Sequence, residues 1–187
     1  MEYLWLVVAW GVYFILHSIL AIRQLKHYVH SKGISPQKYR LFYNIFSLIS
    51  LVPVLIISNN ISAVYAISPN SILKLVGLIL AGYGVVLAKL AFKPYDTKAF
   101  LGLAPHKQES FKTEGLLKYV RHPIYSASIV ILIGYFLFDP RWNTLLNVIM
   151  LIVYFVVGGY FEERKLIREF GEQYIEYKKK TPMLIPR

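Results

Sequence analysis

Residues 119–128 read YVRHPIYSAS, and among their side chains Arg121, His122 and Tyr125 are the first candidates for chemistry. Pro123 is favoured as the first residue of a helix, because the N–H that it lacks would have no partner there. The residue before a proline avoids the α conformation. We therefore predict a helix that begins at Pro123 with His122 as its cap. The positive end of its dipole, beside Arg121, would attract an anion such as a carboxylate.

Two adjacent acids, Glu162 and Glu163, follow the next apolar run along the chain. If both runs are helices joined by the turn at 139–141, an antiparallel hairpin brings these acids to the depth of Arg121 and His122. Ionisable groups at membrane depth favour a functional site. The alternative is that Arg121 binds a lipid phosphate and that the acids are ordinary interface charges.

The other histidines are weaker candidates. His17 lies within the first apolar run, in FILHSILA. A histidine facing lipid would be costly, so it faces other helices, either lining a substrate cavity or as a hydrogen-bonded packing residue. His27, His30 and His106 lack ligand-like spacing, and the chain has no cysteine. We expect no metal site.

Apolar segments must position these residues. Hydrophobic residues make up 56% of the 187 and charged residues 17%, which is typical of a membrane protein. A spanning helix needs about 20 residues, within a range of about 17–25. We predict an all-α integral membrane protein with about five transmembrane helices, the fourth of them short and the first retained rather than cleaved. The segments are 3–22, 41–57, 72–92, 124–138 and 142–161.

The basic residues sort by connection. Of the 21 lysines and arginines, 18 lie between the first and second segments, between the third and fourth, or after the fifth; the other three are Lys74, Lys89 and Arg141. The positive-inside rule then places the N-terminus outside and the C-terminus in the cytoplasm. The net charge of +11 is explained by this bias, so we expect no nucleic-acid partner.

We predict one polytopic domain over 1–187, with a three-helix part at 1–92 and a cofactor-binding core at 93–187. Small residues in the third segment form a seam that lets helices approach closely; they are Gly77, Ala81, Gly84 and Ala88. We also expect an amphipathic cytoplasmic tail helix over 162–180. Its apolar face is formed by Leu166, Phe170, Tyr174 and Tyr177.

The C-terminal half resembles a known family. GLLKYVRHPIYSAS, an apolar hairpin and EERKLIREFGEQYIEYKKKTPMLIP together resemble the core of the isoprenylcysteine carboxyl methyltransferase family over residues 111–186. The wider superfamily includes phospholipid methyltransferases and, more distantly, sterol reductases. The matching residues, in order, are Gly115, Arg121, His122, Pro123, Tyr125, Glu162, Glu163, Leu166, Phe170, Gly171, Tyr174, Tyr177, Pro182 and Pro186.

The front half resembles a narrower group, the bacterial methanethiol S-methyltransferases. The stretches that carry this resemblance are HSILA, YRLFYNIFSLISL and YDTKAFLGL. The implied activity is methyl transfer to a small thiol or to a lipid-like or prenylcysteine acceptor, at the interface of a membrane that we expect to be a prokaryotic cytoplasmic one. Membrane lipid would be a partner, while the sequence leaves the oligomeric state open.

The resemblance implies S-adenosylmethionine as methyl donor and cofactor. The residues that contact this cofactor in the family match His122, Tyr125 and Glu163 here and, less specifically, Glu162. We predict Tyr119 as a further cofactor-binding residue. Arg121, His122 and Glu163 are the expected catalytic residues.

The donor's amine would bind one of the two acids, and its carboxylate the pocket at Arg121. A thiol acceptor must lose its proton, with assistance from His122 or Tyr125, and His17 is the candidate substrate residue. A carboxylate acceptor needs no base.

Two rival readings come from other classes. One is a nicotinamide-dependent membrane reductase of the sterol-reductase type, for which the chain is short. The other is a non-enzymatic lipid-binding membrane protein, which leaves the convergence of Arg121 and His122 with the acid pair unexplained.

Overall fold

The computed structural model describes residues 1–105 and 111–186, so His106 lies outside the described residues. The described part is helical, and an isolated bridge joins Tyr65 to Arg141. This confirms the predicted all-α class. The elements are α1 (Glu2–Ala21), α2 (Arg23–Ser31), α3 (Pro36–Asn60), α4 (Ser71–Phe92), α5 (Thr97–Leu101), a 3₁₀ turn (Gly115–Lys118), α6 (Pro123–Phe138), α7 (Trp142–Phe170) and α8 (Glu172–Lys180).

Four helices in the described part of the chain are long and apolar enough to cross a membrane, namely α1, α3, α4 and α7. The fourth predicted span, α6, is apolar but has 16 residues, or about 24 Å. Its shortness agrees with the sequence. The orientation of the termini stays a prediction.

The described residues form two compact units, the first of which comprises 1–62 and 95–105. Here the Ser35 side chain accepts from the Lys38 N–H, which starts α3 beside Pro36. Arg40 and Asn44 of α3 donate to the carbonyls of Ala99 (2.9 Å) and Leu101 (2.9 Å), at the end of α5. Side-chain hydrogen bonds therefore hold the short α5 against α3.

The second unit comprises 63–94 and 111–186, and in it α4 packs closely against α6. A Cβ on Gly77 would lie 2.6 Å from the Gly134 carbonyl oxygen, and one on Gly134 would lie 2.5 Å from the Ala81 nitrogen. Gly84 meets Ile131 in the same way. The predicted small-residue seam is thus confirmed at these positions. The packing places α4 in one compact unit with the C-terminal helices, and the predicted division of the domain at residue 92 stays a prediction.

The helices α6 and α7 form the predicted hairpin across residues 139–141. Arg141 pairs with the Asp139 carboxylate, which also accepts from Thr144 at 3.0 Å. The hydrogen bond to Asp139 raises the pKa of Arg141. Backbone bonds from Trp142 to Val64 (3.0 Å) and from residue 66 to residue 140 (2.8 Å) attach the preceding loop to this turn.

The predicted boundary between the fifth span and the tail helix was wrong. Instead of ending at Phe161, α7 continues as one helix of 29 residues to Phe170. The residues that follow Phe161 are mostly Glu, Arg, Lys, Leu and Ile, which sustain a helix. The break comes at Gly171, where φ is 55° and glycine is tolerated without strain, and α8 begins next.

An aromatic cluster packs α8 against the rest of its unit. Tyr174 is buried, and the rings of Phe170, Tyr174 and Tyr177 surround Phe111 at centroid distances of 5.1–5.8 Å. Burial raises the pKa of Tyr174. The Tyr177 hydroxyl donates to the Leu117 carbonyl at 2.6 Å. The apolar face predicted for the tail therefore faces protein, and its position on the cytoplasmic side stays a prediction.

Candidate functional site

The start of α6 is built as the sequence predicted, with Pro123 as its first residue and His122 as its cap. The backbone N–H groups of Arg121 and His122 donate to the carbonyls of Pro182 (2.9 Å) and Met183 (3.1 Å). The Ser126 hydroxyl donates to the Leu184 carbonyl at 2.6 Å. The chain after α8 thus crosses the beginning of α6 and fixes the backbone that presents Arg121 and His122.

Glu163 lies at the centre of an ion cluster contributed by three parts of the chain. Its side chain is 3% exposed. The Oε1 atom accepts from Arg121 Nε (2.7 Å) and Nη2 (2.6 Å) and lies 3.3 Å from His122 Nε2. The Oε2 atom pairs with Lys178 Nζ at 2.7 Å. We call Arg121, His122, Glu163 and Lys178 the Glu163 cluster. A buried carboxylate requires such partners, since an unpaired buried charge is strongly destabilising.

Arg121 has further partners in the tail. Its guanidinium donates to the Lys178 carbonyl at 3.3 Å and to the Thr181 carbonyl. Its side chain is 8% exposed. The residue therefore joins the start of α6 to both α7 and the end of α8.

The neighbouring acid, Glu162, has a different environment, since its side chain is 47% exposed. Its Oε2 accepts from the Tyr125 hydroxyl at 2.9 Å and lies 3.6 Å from His122 Nδ1. The hairpin thus brings together all five residues predicted on the two helix ends. One acid is buried among cations, and the other is open to solvent.

The His122 ring lies between these two carboxylates. Because a carboxylate only accepts, the contact from Nε2 to Glu163 requires a hydrogen on Nε2. At 3.6 Å, Nδ1 is too far from Glu162 Oε2 for a hydrogen bond, so in the neutral ring Nδ1 keeps a free lone pair. Glu163 thereby orients the imidazole in the manner of a carboxylate–histidine dyad, with Nδ1 as the acceptor atom.

Three rings are stacked beside the acids. His122 and Tyr125 are 5.2 Å apart with planes 2° from parallel, and Tyr125 and Phe155 are 5.3 Å apart at 10°. The sequence reasoning missed Phe155. Its signal was present: Phe155, Gly159, Glu162 and Glu163 recur at helical spacing, and such residues share one face of α7.

Gly159 makes a notch on the same face of α7. A Cβ there would meet the Met183 methyl group first, and would lie 3.6 Å from both His122 Nε2 and Tyr125. The tail thus places the Met183 thioether beside the stacked rings. Neither Gly159 nor Met183 was identified from the sequence, because nothing local relates two residues so far apart along the chain.

Two predicted residues are not part of this cluster of contacts. Tyr119 lies in the loop before α6, and its side chain is 63% exposed. His17 belongs to the other compact unit. Its Nδ1 lies 2.9 Å from Ser47 Oγ and its Nε2 2.5 Å from the Tyr43 hydroxyl. Their predicted roles stay predictions. Within residues 1–105 and 111–186, no group of three or more His, Asp or Glu side chains is arranged to hold a metal ion.

Comparison with known proteins agrees with the family resemblance seen in the sequence. A model of the family described as phospholipid methyltransferase matches residues 72–173, more than half of the chain. Methanethiol S-methyltransferase 2 of Bradyrhizobium diazoefficiens is 38% identical over 86 residues, which cover 42% of this chain and 30% of that protein. Protein-S-isoprenylcysteine O-methyltransferase of Xenopus laevis is 32% identical over 124 residues, covering 61% and 41%.

A longer match is to the methanethiol S-methyltransferase of Crocosphaera subtropica, which is 27% identical over 192 aligned positions, covering 94% of this chain and 71% of that protein. By contrast, the chain spans less than half of the length of several other relatives. No solved structure matches the chain significantly. The resemblance to the isoprenylcysteine and methanethiol enzymes is confirmed by these matches.

Proposed function

The chain belongs to the phospholipid methyltransferase family, and from that premise we propose that it transfers a methyl group from S-adenosylmethionine to a small thiol or a lipid-like acceptor. The observation that carries the proposal is the convergence of Arg121, His122 and Tyr125 with Glu162 and Glu163 at the open end of the α6–α7 hairpin. The site would lie at the cytoplasmic interface of a multi-pass membrane protein.

The residues present suit such a donor. Glu162 is a half-exposed carboxylate and fits an ammonium group. The parallel rings of His122, Tyr125 and Phe155 offer π-faces that attract cations and stack on flat rings. The predicted contact between Arg121 and the donor's carboxylate stays a prediction, and in the structure the guanidinium is engaged by Glu163 and by tail carbonyls.

When bound, S-adenosylmethionine supplies an electrophilic methyl group on a sulfonium. The chain's part is to align the acceptor with that group and to exclude water; alignment alone can contribute roughly 7–11 kcal/mol at best. Because the positive charge disappears on transfer, apolar surroundings such as Phe155 and Met183 favour the reaction. For a thiol acceptor, His122 Nδ1 is one atom of this site that can accept the proton.

The acceptor class follows from the relatives' names, which specify methanethiol and isoprenylcysteine. Both of these acceptors contain sulfur, but the names specify methylation of sulfur in the first and of oxygen in the second. A small thiol and a prenylated cysteine carboxylate are therefore the first acceptors to test, followed by a lipid amine because of the family model. The bilayer would deliver an apolar acceptor sideways between the helices.

The test is equilibrium dialysis of the detergent-purified protein with methyl-labelled S-adenosylmethionine, followed by incubation with those acceptors. We expect saturable donor binding that is lost in Tyr125→Ala, and label in one acceptor. Binding of NADPH in place of the donor would favour the reductase reading. Binding of neither would leave a non-enzymatic lipid-binding protein and overturn the proposal.

A further inference from the structure

Two neighbouring lysines on α8 have different surroundings. Lys179 is 63% exposed and pairs with Glu176, one turn earlier, at 2.5 Å. Lys178 instead reaches the buried Glu163 on α7, where Nζ lies 2.7 Å from Oε2. Nothing in the local sequence KKK separates the two residues. The structure alone singles out Lys178 as the one that enters the site.

Lys178 pairs with one oxygen of the Glu163 carboxylate, and the other oxygen contacts the residues of the site. Glu163 Oε2 pairs with Lys178, while Oε1 contacts Arg121 and His122. The terminal torsion of a glutamate is broad and roughly two-fold. With Oε2 pinned, the carboxylate plane is fixed, and Oε1 stays directed at His122 Nε2.

The orientation of His122 depends on that contact. Its ring lies parallel to the Tyr125 ring, at 2° and 5.2 Å, and Glu163 Oε1 holds the Nε2 edge. A charge-assisted hydrogen bond gives both strength and direction. A loosened Glu163 would therefore release the ring that presents Nδ1 to a ligand.

The backbone of Lys178 belongs to the same connection. Its carbonyl accepts from Arg121 Nη1 at 3.3 Å. The chain then continues to Pro182 and Met183, whose carbonyls accept from the N–H groups of Arg121 and His122. The side chain and the backbone thus attach α8 to the same two residues.

We infer that Lys178 is a positioning residue, which acts through Glu163 to hold His122 in the orientation that binds the methyl donor. The inference rests on the proposed function for the identity of the ligand. The role does not require Lys178 to touch the donor, because its ammonium group pairs with Glu163 Oε2, whereas His122 contacts Oε1.

The first experiment measures the dissociation constant of S-adenosylhomocysteine for the full chain in detergent. Lys178→Met keeps most of the length of the side chain and removes its charge, and we expect binding about fivefold to tenfold weaker, the scale of one ordinary hydrogen bond. Lys179→Met is the matched control and should stay within twofold. Lys178→Arg retains a cation within reach of Glu163 and should recover most of the affinity.

A double-mutant cycle tests the route through Glu163. In the Glu163→Gln background, Lys178→Met should have no further effect on binding, because the carboxylate that it positions is absent. The thermal unfolding midpoint of each variant is measured in parallel. If Glu163→Gln fails to fold, the positioning role is still tested by the relative affinities of Lys178→Met, Lys179→Met and Lys178→Arg.

The outcomes separate this inference from the proposed function. If the wild type binds no S-adenosylhomocysteine, the proposed function fails. If it binds, and Lys178→Met equals Lys179→Met, or the losses from Lys178→Met and Glu163→Gln simply add, then the positioning role is overturned alone. A loss in Lys178→Met that arginine does not restore also counts against it.

Discussion

Two histidines, one in each compact unit, are both contacted on both ring nitrogens, yet their partners differ in charge. His17 lies between Ser47 Oγ and the Tyr43 hydroxyl, so it joins α1 to α3 through neutral groups. His122 lies between the carboxylates of Glu163 and Glu162. We call His17, Tyr43 and Ser47 the His17 cluster.

The difference teaches what each arrangement can do. The Ser47 hydroxyl donates to the Tyr43 carbonyl at 2.7 Å, so its oxygen accepts from His17 Nδ1 and the Tyr43 hydroxyl donates to Nε2. Both ring nitrogens of His17 on α1 are thus hydrogen-bonded to α3, while the Ser47 hydroxyl proton is engaged within α3, as expected of packing within a membrane. The Glu163 cluster carries charge and borders a half-exposed acid, as expected of a binding site.

The largest effect should come from Glu163→Ala. It leaves Arg121 buried without its carboxylate, and removing one partner of a buried pair costs about 3–5 kcal/mol. Because Lys178 is 41% exposed and can turn to water, the loss in free energy of unfolding should lie near the lower end. Thermal unfolding in detergent measures it. Glu169→Ala, an exposed acid on the same helix, should stay near wild type; equal losses would contradict the difference in burial.

The same substitution at the two histidines tests the comparison directly. His122→Gln should weaken S-adenosylmethionine binding by about tenfold or more, because the ring stack and the contact to Glu163 are lost together. His17→Gln should leave donor binding within twofold. If both variants weaken donor binding equally, the two histidines do not differ in function as proposed. If His17→Gln alone changes the KM for the acceptor, the predicted substrate role of His17 is supported.

Removing one hydroxyl beside the Glu163 cluster and one from the His17 cluster should give smaller effects. Tyr125→Phe keeps the ring stack and loses the hydrogen bond to Glu162, so donor affinity should fall about fivefold, equivalent to roughly 1 kcal/mol. Tyr43→Phe should lower the unfolding midpoint and leave donor affinity alone. Isothermal titration and thermal melts of both variants measure this, and the reverse pattern would assign ligand binding to the His17 cluster.

Ser47→Ala should have the smallest effect. It removes one neutral hydrogen bond to His17 and leaves Tyr43 in place, so we expect a loss of about 1 kcal/mol or less in the free energy of unfolding. Donor binding and methyl transfer should be unchanged. A large loss of activity without a loss of stability would show that Ser47 does more than join helices.

Some features could be predicted because local chemistry fixes them. The start of α6 follows from Pro123, the hairpin from the turn residues at 139–141, and the approach of α4 to another helix from its glycines. The end of α7 was placed wrongly because charged residues were taken to leave the span. Helix propensity carried the helix through them to Gly171, where the backbone adopts a positive φ.

The sequence by itself determined which residues can carry charge or protons and where the helices that hold them begin. Arg121, His122, Tyr125 and the acid pair were identifiable because polar residues at the ends of apolar runs are costly without a role. Their roles remain predictions.

Only the tertiary structure decided how the partners are divided. It buried Glu163 and left Glu162 open, selected Lys178 over Lys179, and brought Phe155 and Met183 beside the ring stack. The physical reason is that burial and ion pairing depend on groups that meet from distant parts of the chain. Adjacent residues of the same type, such as the two glutamates or the two lysines, differ only in the face of the helix on which each side chain lies.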